Sequence, residues 1–207
     1  MKFFKPMGIT RLWIMVLLAG FSTVIVSALS SAATIGDEYG GGVVFYVDGT
    51  GQHGLIAATE DIRTTYSDAW RRKPYTGAYR WSTGQYDTEN TTDFAFQQLY
   101  TRTGLWQGAA NTRKILAKYP PYMNMNSAAS VANAYSGGGY SDWFLPGKDE
   151  LNQLYLNKLA VGGFADGCYW SSSELDIYRA WTKHFGNGYQ GSEYKVNYGR
   201  VRAVRSF

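Results

Sequence analysis

Three stretches decide the fold: Asp142-Trp143-Phe144-Leu145-Pro146, Tyr169-Trp170-Ser171-Ser172 and Arg200-Val201-Arg202-Ala203-Val204-Arg205. The first predicts a short aromatic strand followed by a helix, because a proline suits a helix's first turn, where its missing N–H would be unpaired anyway. The second and third predict core strands of an antiparallel sheet. Their order along the chain indicates a mixed α+β domain.

The rest of the chain supplies further strands and helices. Residues 43–47 are apolar and lie between glycines and a turn sequence, which predicts a buried strand with a hairpin partner at residues 54–58. Gly186-Asn187-Gly188 predicts the turn of a second hairpin. Helices are expected over residues 111–119 and 127–135, the second because its apolar residues recur at helical spacing.

Together with Gly40-Gly41-Gly42-Val43-Val44-Phe45-Tyr46, the three stretches resemble the Lcl C-terminal domain family, a group of bacterial secreted domains found on collagen-like adhesins. The resemblance extends over roughly residues 36–207. It implies a C-type-lectin-like fold related to formylglycine-generating enzymes, with antiparallel sheets, two or three helices, long loops and paired N- and C-terminal strands. The matching pair in this sequence is residues 43–47 with residues 201–207.

The first 33 residues have the pattern of a signal peptide. Lys2, Lys5 and Arg11 precede an uncharged apolar run, and small residues at Ser31 and Ala33 fit a cleavage site. We therefore expect export to the periplasm, cell surface or medium, with residues 34–207 as one domain and no membrane contact after cleavage. An uncleaved anchor is the alternative, because the run extended to Leu29 is long enough to span a bilayer.

Removal of the signal changes the charge of the protein. Three of the 20 Lys and Arg residues lie in it, which leaves 17 against 16 acidic residues, a net charge of +1. A nucleic-acid partner is not expected, because non-specific binding to phosphates requires a strong positive field. Cys168 is the only cysteine, so an internal disulfide is excluded.

No pattern of residues predicts an enzyme. Formylglycine-generating enzymes use a cysteine pair, which a chain with only Cys168 lacks. Asp149 and Glu150 are interpreted as carboxylates that favour the start of a helix. His53 and His184 have no partners at zinc-like spacing, so we expect no metal centre and no cofactor. Calcium stays open because oxygen ligands need no tight motif, although the triplets typical of calcium-dependent lectins are absent.

The candidate ligand-binding residues lie in the last strands. Basic side chains there could grip sulfate or carboxylate groups of an acidic glycan, and a mixture of tyrosine and asparagine is typical of adaptable binding surfaces. The alternative is a solvated sheet face in which Asp176 and Glu193 pair with the basic residues. The predicted binding set is Arg179, Lys183, Tyr189, Tyr194, Lys195, Asn197, Tyr198, Arg200 and Arg202.

Aromatic residues in the long loop region form a second group that could stack on sugar faces: Trp70, Tyr75, Tyr79, Tyr86 and Trp106. Family resemblance implies an adhesin-like module whose partner is an extracellular glycan, in particular a sulfated glycosaminoglycan. A protein ligand is the alternative, because C-type-lectin-like domains also serve as the variable proteins of diversity-generating retroelements. In that case residues 174–198 would be the varied segment.

Overall fold

The computed structural model describes residues 32–63, 77–82, 98–118 and 126–207. Residues 32–207 form one compact unit. The predicted signal peptide lies outside the described residues except for its last two positions, and so do Trp70, Tyr75 and Tyr86.

Within the described residues the chain forms nine strands and four α-helices, which confirms the mixed α+β class. The strands are β1 Glu38–Tyr39, β2 Gly42–Val47, β3 Gly54–Ala57, β4 Tyr79–Arg80, β5 Cys168–Glu174, β6 Arg179–His184, β7 Gln190–Tyr194, β8 Tyr198–Gly199 and β9 Val204–Ser206. The helices are α1 Gly108–Lys118, α2 Ala128–Asn133, α3 Lys148–Leu156 and α4 Lys158–Val161, with a 3-10 turn at Gly137–Gly139.

The strands form three antiparallel sheets, in the orders β1-β2-β3-β9, β4-β8 and β5-β6-β7. The predicted hairpin of β2 and β3 is confirmed, as is the hairpin turn between β6 and β7. The predicted pairing of residues 43–47 with the C-terminal strand is wrong. β9 pairs with β3 instead, with Ile56 opposite Arg205, because β1 already occupies the other edge of β2.

Three predicted helices are confirmed as α1, α2 and α3, and the short α4 is an addition to the two or three expected. Ser127 caps the start of α2, since its hydroxyl group accepts a hydrogen bond from the Ser130 N–H at 3.2 Å. α3 begins at Lys148, two residues after Pro146, and Asn157 separates it from α4.

Two buried tryptophans tie the sheets together through hydrogen bonds of their indole groups, and a third bonds locally. Trp81 donates to the Ser171 carbonyl at 2.7 Å, and Trp170 donates to the Tyr79 carbonyl at 2.8 Å. Each bond therefore links β5 to the β4 region. The indole of Trp143 donates locally to the Tyr140 carbonyl at 3.1 Å. A buried indole needs such a partner, since an unpaired N–H would cost about 1–3 kcal/mol.

Glu150 is fully buried and caps two helices with one carboxylate. It accepts hydrogen bonds from the N–H of Gly147, which precedes α3, at 2.7 Å, and from the N–H of Gly108, the first residue of α1, at 3.2 Å. The neighbouring backbone N–H groups of Trp106 and Gln107 also favour its charged form. Burial raises the pKa of Glu150 even though these four donors favour the anion.

Candidate functional site

The predicted binding residues differ in their exposure to solvent. Lys183, Lys195 and Arg202, which were predicted to contact a ligand, are buried. A long cationic side chain is buried only where other groups replace its water. The contacts of each residue identify those groups.

Arg202 is enclosed by polar groups from several parts of the chain. Its guanidinium donates to Asp61 at 3.0 Å, and to the carbonyl groups of Ala58 at 2.8 Å and Gly163 at 2.6 Å. It also lies over the Phe164 ring, with its central carbon 3.9 Å from the ring centroid. Asp61 accepts a further hydrogen bond from the Tyr169 hydroxyl at 2.6 Å. Arg202 is thus a structural cross-link.

The two neighbouring arginines also face carboxylates. Arg205 makes a two-pronged contact with Asp142 at 2.8 and 3.0 Å, and the guanidinium holds the pKa of that carboxyl group below its usual value. Arg200 is about one third exposed and lies 3.8 Å from Asp61. The basic residues of the last segment were interpreted as a binding site for acidic glycans. Arg202 is enclosed and does not fit that role, and Arg205 is already paired with Asp142.

Lys195 and Glu174 form an ion pair closed to water. The ammonium group lies 2.8 Å from the carboxylate and 4.7 Å from the centre of the Trp81 ring. Burial lowers the pKa of Lys195, and the carboxylate opposes this effect. Lys183 is held differently, since its ammonium donates to the Asn152 side chain at 2.8 Å and lies over the Tyr155 ring.

The remaining predicted residues do not share one surface. Arg179 and Tyr194 are exposed and lie opposite each other on β6 and β7, and the Asn197 N–H bonds to the Tyr194 carbonyl at 2.8 Å. Tyr189 is exposed at the other end of β7, about 17 Å away at the usual rise of a strand. Tyr198 is half-buried on β8, where it pairs with Arg80.

Exposed aromatic and apolar side chains collect at the Arg179 end of the hairpin. Tyr178 is 47% exposed and Tyr194 57%, and the Lys195 N–H bonds to the Tyr178 carbonyl at 2.8 Å. Leu175 lies in the same turn, and Tyr100 follows Leu99, whose N–H bonds to the Glu174 carboxylate. We call these four residues the tyrosine surface: Tyr100, Leu175, Tyr178 and Tyr194.

Tyr100 and Leu175 were not among the predicted binding residues. Tyr100 is 75% exposed and has a backbone φ of +52°, a left-handed conformation that is rare for a bulky residue. The segment is fixed on both sides, because the Thr101 hydroxyl accepts the Glu174 N–H at 2.7 Å and Lys114 donates to the Tyr100 carbonyl at 3.1 Å. The sequence around Tyr100 holds no turn residue that would have predicted this conformation.

The structure brings one histidine close to the cysteine. Cys168 and His184 are direct partners across β5 and β6, which the sequence alone did not indicate. Burial, and then the charge of Glu193, raise the pKa of the Cys168 thiol, so the thiol is a weak nucleophile. His184 accepts the Gly186 N–H at 3.2 Å and lies 3.6 Å from Asp166. In the described part of the chain no three His, Cys, Asp or Glu side chains are grouped to hold a metal ion.

The comparison with known families agrees with the resemblance that the sequence motifs indicated. The sequence model of the Lcl C-terminal domain family matches residues 70–205, which is more than half of the chain. The chain belongs to this family. Membership in the Lcl C-terminal domain family supports a surface or adhesin-like module and identifies no ligand.

The comparison with solved structures finds a fimbrial protein from Bacteroides ovatus with 13% sequence identity and a TM-score of 0.40. The alignment covers 73% of this chain and 35% of that protein, so the chain spans about a third of its length. The comparison with curated proteins finds no match. Among the described residues no helix has the length and apolar character needed to cross a membrane.

Proposed function

We propose that this Lcl C-terminal domain is an exported, non-catalytic binding module that recognises an extracellular glycan through the tyrosine surface. The observation that carries the proposal is the exposure of Tyr178 and Tyr194 at one end of the β6–β7 hairpin and of Tyr100 on the segment that bonds to Glu174. An exposed aromatic ring provides an apolar face for a sugar and a hydroxyl group for hydrogen bonding.

The frame beneath this surface supports a binding role, because a preorganised site loses less entropy when it binds. The buried pair of Lys195 and Glu174 lies under the turn, and Glu174 also accepts the Leu99 N–H at 2.5 Å. One carboxylate therefore fixes both the end of β7 and the segment that carries Tyr100. The backbone that carries the tyrosine rings is therefore held in place by the buried contacts of Glu174.

The surface chemistry favours uncharged sugars over sulfated ones. Arg179 lies opposite Tyr194 on the hairpin, and its guanidinium already contacts Asp176 at 2.8 and 3.0 Å. Lys195 is buried and unable to reach a ligand. Sulfated glycosaminoglycans are included in the test because the family resemblance implies an acidic glycan as the ligand.

A C-type-lectin-like fold and export by a signal peptide are parts of the same proposal. Support for the fold comes from the family match and from the last strand β9, which returns to the sheet of β2 and β3. In such folds the hairpins of the second half present the ligand-binding residues, which agrees with the position of Tyr178 and Tyr194.

The test is binding of the exported protein to an array of neutral and sulfated glycans, at low and physiological salt and with calcium or a chelator. The double variant Tyr178→Ala/Tyr194→Ala should lose binding. Tyr189→Ala, which removes a tyrosine that is 70% exposed at the other end of β7, is the matched control and should retain it.

Equal binding by the double variant and the wild type would reject the tyrosine surface as the site. Loss of binding at physiological salt alone would indicate an acidic glycan, because exposed charges are screened within about 8 Å in that condition. Silence across the array would reject the glycan and leave a protein ligand, for which residues 174–198 are the candidate surface.

A further inference from the structure

A small pocket lies where the turn between β2 and β3 meets the end of β9. Its volume is about 320 Å³, which is at the lower end of the range for small-molecule sites. We call it the terminal pocket, and its lining residues are Asp48, His53, Trp106, Ser206 and Phe207. The lining combines two large rings with a carboxylate, an imidazole and a hydroxyl group.

The Trp106 wall is held in an unusual backbone conformation. Trp106 has a φ of +66°, which L-residues with bulky side chains rarely adopt. Its ring meets the Tyr46 ring edge-on at 5.8 Å, and the segment that follows is tied to the buried carboxylate of Glu150 through the Gly108 N–H at 3.2 Å. The ring is nevertheless 41% exposed. Strained residues that the surrounding structure holds in place are concentrated at binding sites.

The opposite wall is equally fixed. Phe207 exchanges two backbone hydrogen bonds with Gly54, at 3.1 and 3.2 Å, and its ring lies where a side chain at Gly54 would stand. The Tyr39 ring supports it edge-on at 5.1 Å. Asp48 is held by the Thr50 hydroxyl at 2.6 Å and the Thr50 N–H at 3.0 Å, both to the same carboxylate oxygen.

The combination of groups points to one class of ligand. An exposed indole offers a flat apolar face, and a carboxylate beside an imidazole offers hydrogen-bond partners for hydroxyl groups. In the described chain no lysine or arginine lines the pocket, so an anionic ligand would face Asp48 without a counter-charge. We propose that the terminal pocket binds one neutral sugar residue, with its apolar face against Trp106 and its hydroxyl groups against Asp48 and His53.

This inference rests on the proposed function, since it assumes a glycan ligand, but it adds a second contact point that shares no residue with the tyrosine surface. A glycan bound at both places would gain affinity from the higher effective concentration of the second contact. Each contact alone would be weak, and the pocket should therefore bind free monosaccharides with a Kd on the order of 1 mM.

The experiment titrates glucose, galactose, mannose and N-acetylglucosamine into the exported protein and follows binding by ligand-observed NMR. Trp106→Ala should weaken binding of the best sugar at least tenfold, and so should Asp48→Asn, which keeps the size of the side chain and an acceptor for Thr50. Tyr189→Ala should bind as the wild type does. Circular dichroism verifies folding, and if Trp106→Ala is unfolded, Asp48→Asn decides.

Three outcomes would overturn the pocket as a sugar site. Either no sugar binds, or Asp48→Asn binds sugar as the wild type does. The third is that the cation tetramethylammonium binds while the sugars do not, which would assign the pocket to cations. A loss of array binding in Tyr178→Ala/Tyr194→Ala with no change in Trp106→Ala would overturn the pocket and leave the proposed function standing. If no glycan on the array binds but a free monosaccharide binds in a way that depends on Trp106, recognition through the tyrosine surface would be overturned and the pocket would stand.

Discussion

At the scale of single residues, the pair of Lys195 and Glu174 makes the sharpest prediction. Lys195→Met should lower the free energy of unfolding by about 3–5 kcal/mol, because it leaves a buried carboxylate without its counter-charge. The double variant Lys195→Met/Glu174→Gln should lose less, since it removes both charges and keeps an acceptor for the Leu99 N–H. Urea denaturation at neutral pH measures both. A double variant less stable than the single one would contradict the argument.

Asp142 makes a prediction that depends on pH. Its hydrogen bonds to Arg205 lower its pKa in the folded protein. Such a carboxyl group stabilises the protein above its unfolded pKa of about 3.9, and this stability is lost as the pH falls through the folded value. Asp142→Asn should cost about 1 kcal/mol at pH 7, since the carboxylate is 58% exposed.

The measurement for Asp142 is the difference in Tm between wild type and Asp142→Asn at pH 7 and at about pH 3. The difference should shrink on acidification, because the stabilisation by the charged carboxyl group declines as the pH falls below its unfolded pKa towards the lowered folded one. A difference that is equal at both pH values would assign the effect to packing of Arg205 against Tyr140 and not to charge.

The buried arginines explain why the candidate site could be only partly predicted. Alternation of Arg200, Val201 and Arg202 indicated which side chains share a face, but not whether that face is covered. The cover comes from Asp61, 141 residues away from Arg202 in sequence. Local patterns placed Tyr194 and Arg179 in the candidate set, and both are exposed at the end of the hairpin.

At the scale of elements, Gly108 shows how two helices depend on one carboxylate. A Cβ atom at Gly108 would stand about 2.2 Å from the Glu150 carboxylate and 2.8 Å from the Gly147 nitrogen. Gly108→Ala should therefore destabilise the protein by about 1–3 kcal/mol, although alanine is the better helix former. Gly49→Ala is the matched control, since nothing lies within 4 Å of its Cβ position.

Denaturation curves of the two glycine variants decide the point. Gly49→Ala should be neutral or slightly stabilising, because it reduces the freedom of the unfolded chain. If Gly108→Ala is as stable as Gly49→Ala, then Glu150 can move away from α1, and its role as a shared cap is wrong. The sequence predicted Glu150 as a helix-start carboxylate of α3, and its second contact with α1 depends on a packing that no local pattern encodes.

Hairpins were predicted more accurately than the pairing of distant strands. The turn residues between β2 and β3 and between β6 and β7 fix those pairs locally. The partner of β9 depends on which edge of the first hairpin stays free. Only two residues, Glu38 and Tyr39, form β1, and so short a strand gave no periodic signal. Because β1 takes the free edge of β2, β9 was left with β3.

At the scale of the whole molecule, Arg202 joins parts of the chain that are far apart in sequence. Its contacts reach Asp61, the carbonyl groups of Ala58, Gly162 and Gly163, and the Phe164 ring. Its five N–H donors form a planar fork, which one ammonium group cannot imitate. The last segment of the chain is thereby fixed to both the first hairpin and the end of α4.

Arg202→Lys should consequently cost about 3–5 kcal/mol even though the charge is kept, because several buried carbonyl groups would lose their donors. Arg200→Lys is the matched control and should change stability by less than about 0.5 kcal/mol, since Arg200 is one third exposed and lies 3.8 Å from Asp61. Chemical denaturation gives the size of each effect. Native-state hydrogen exchange should place the loss in Arg202→Lys at both β3 and β9, because a cross-link acts on everything it joins. A loss confined to the last strand would mean that Arg202 serves its own segment alone.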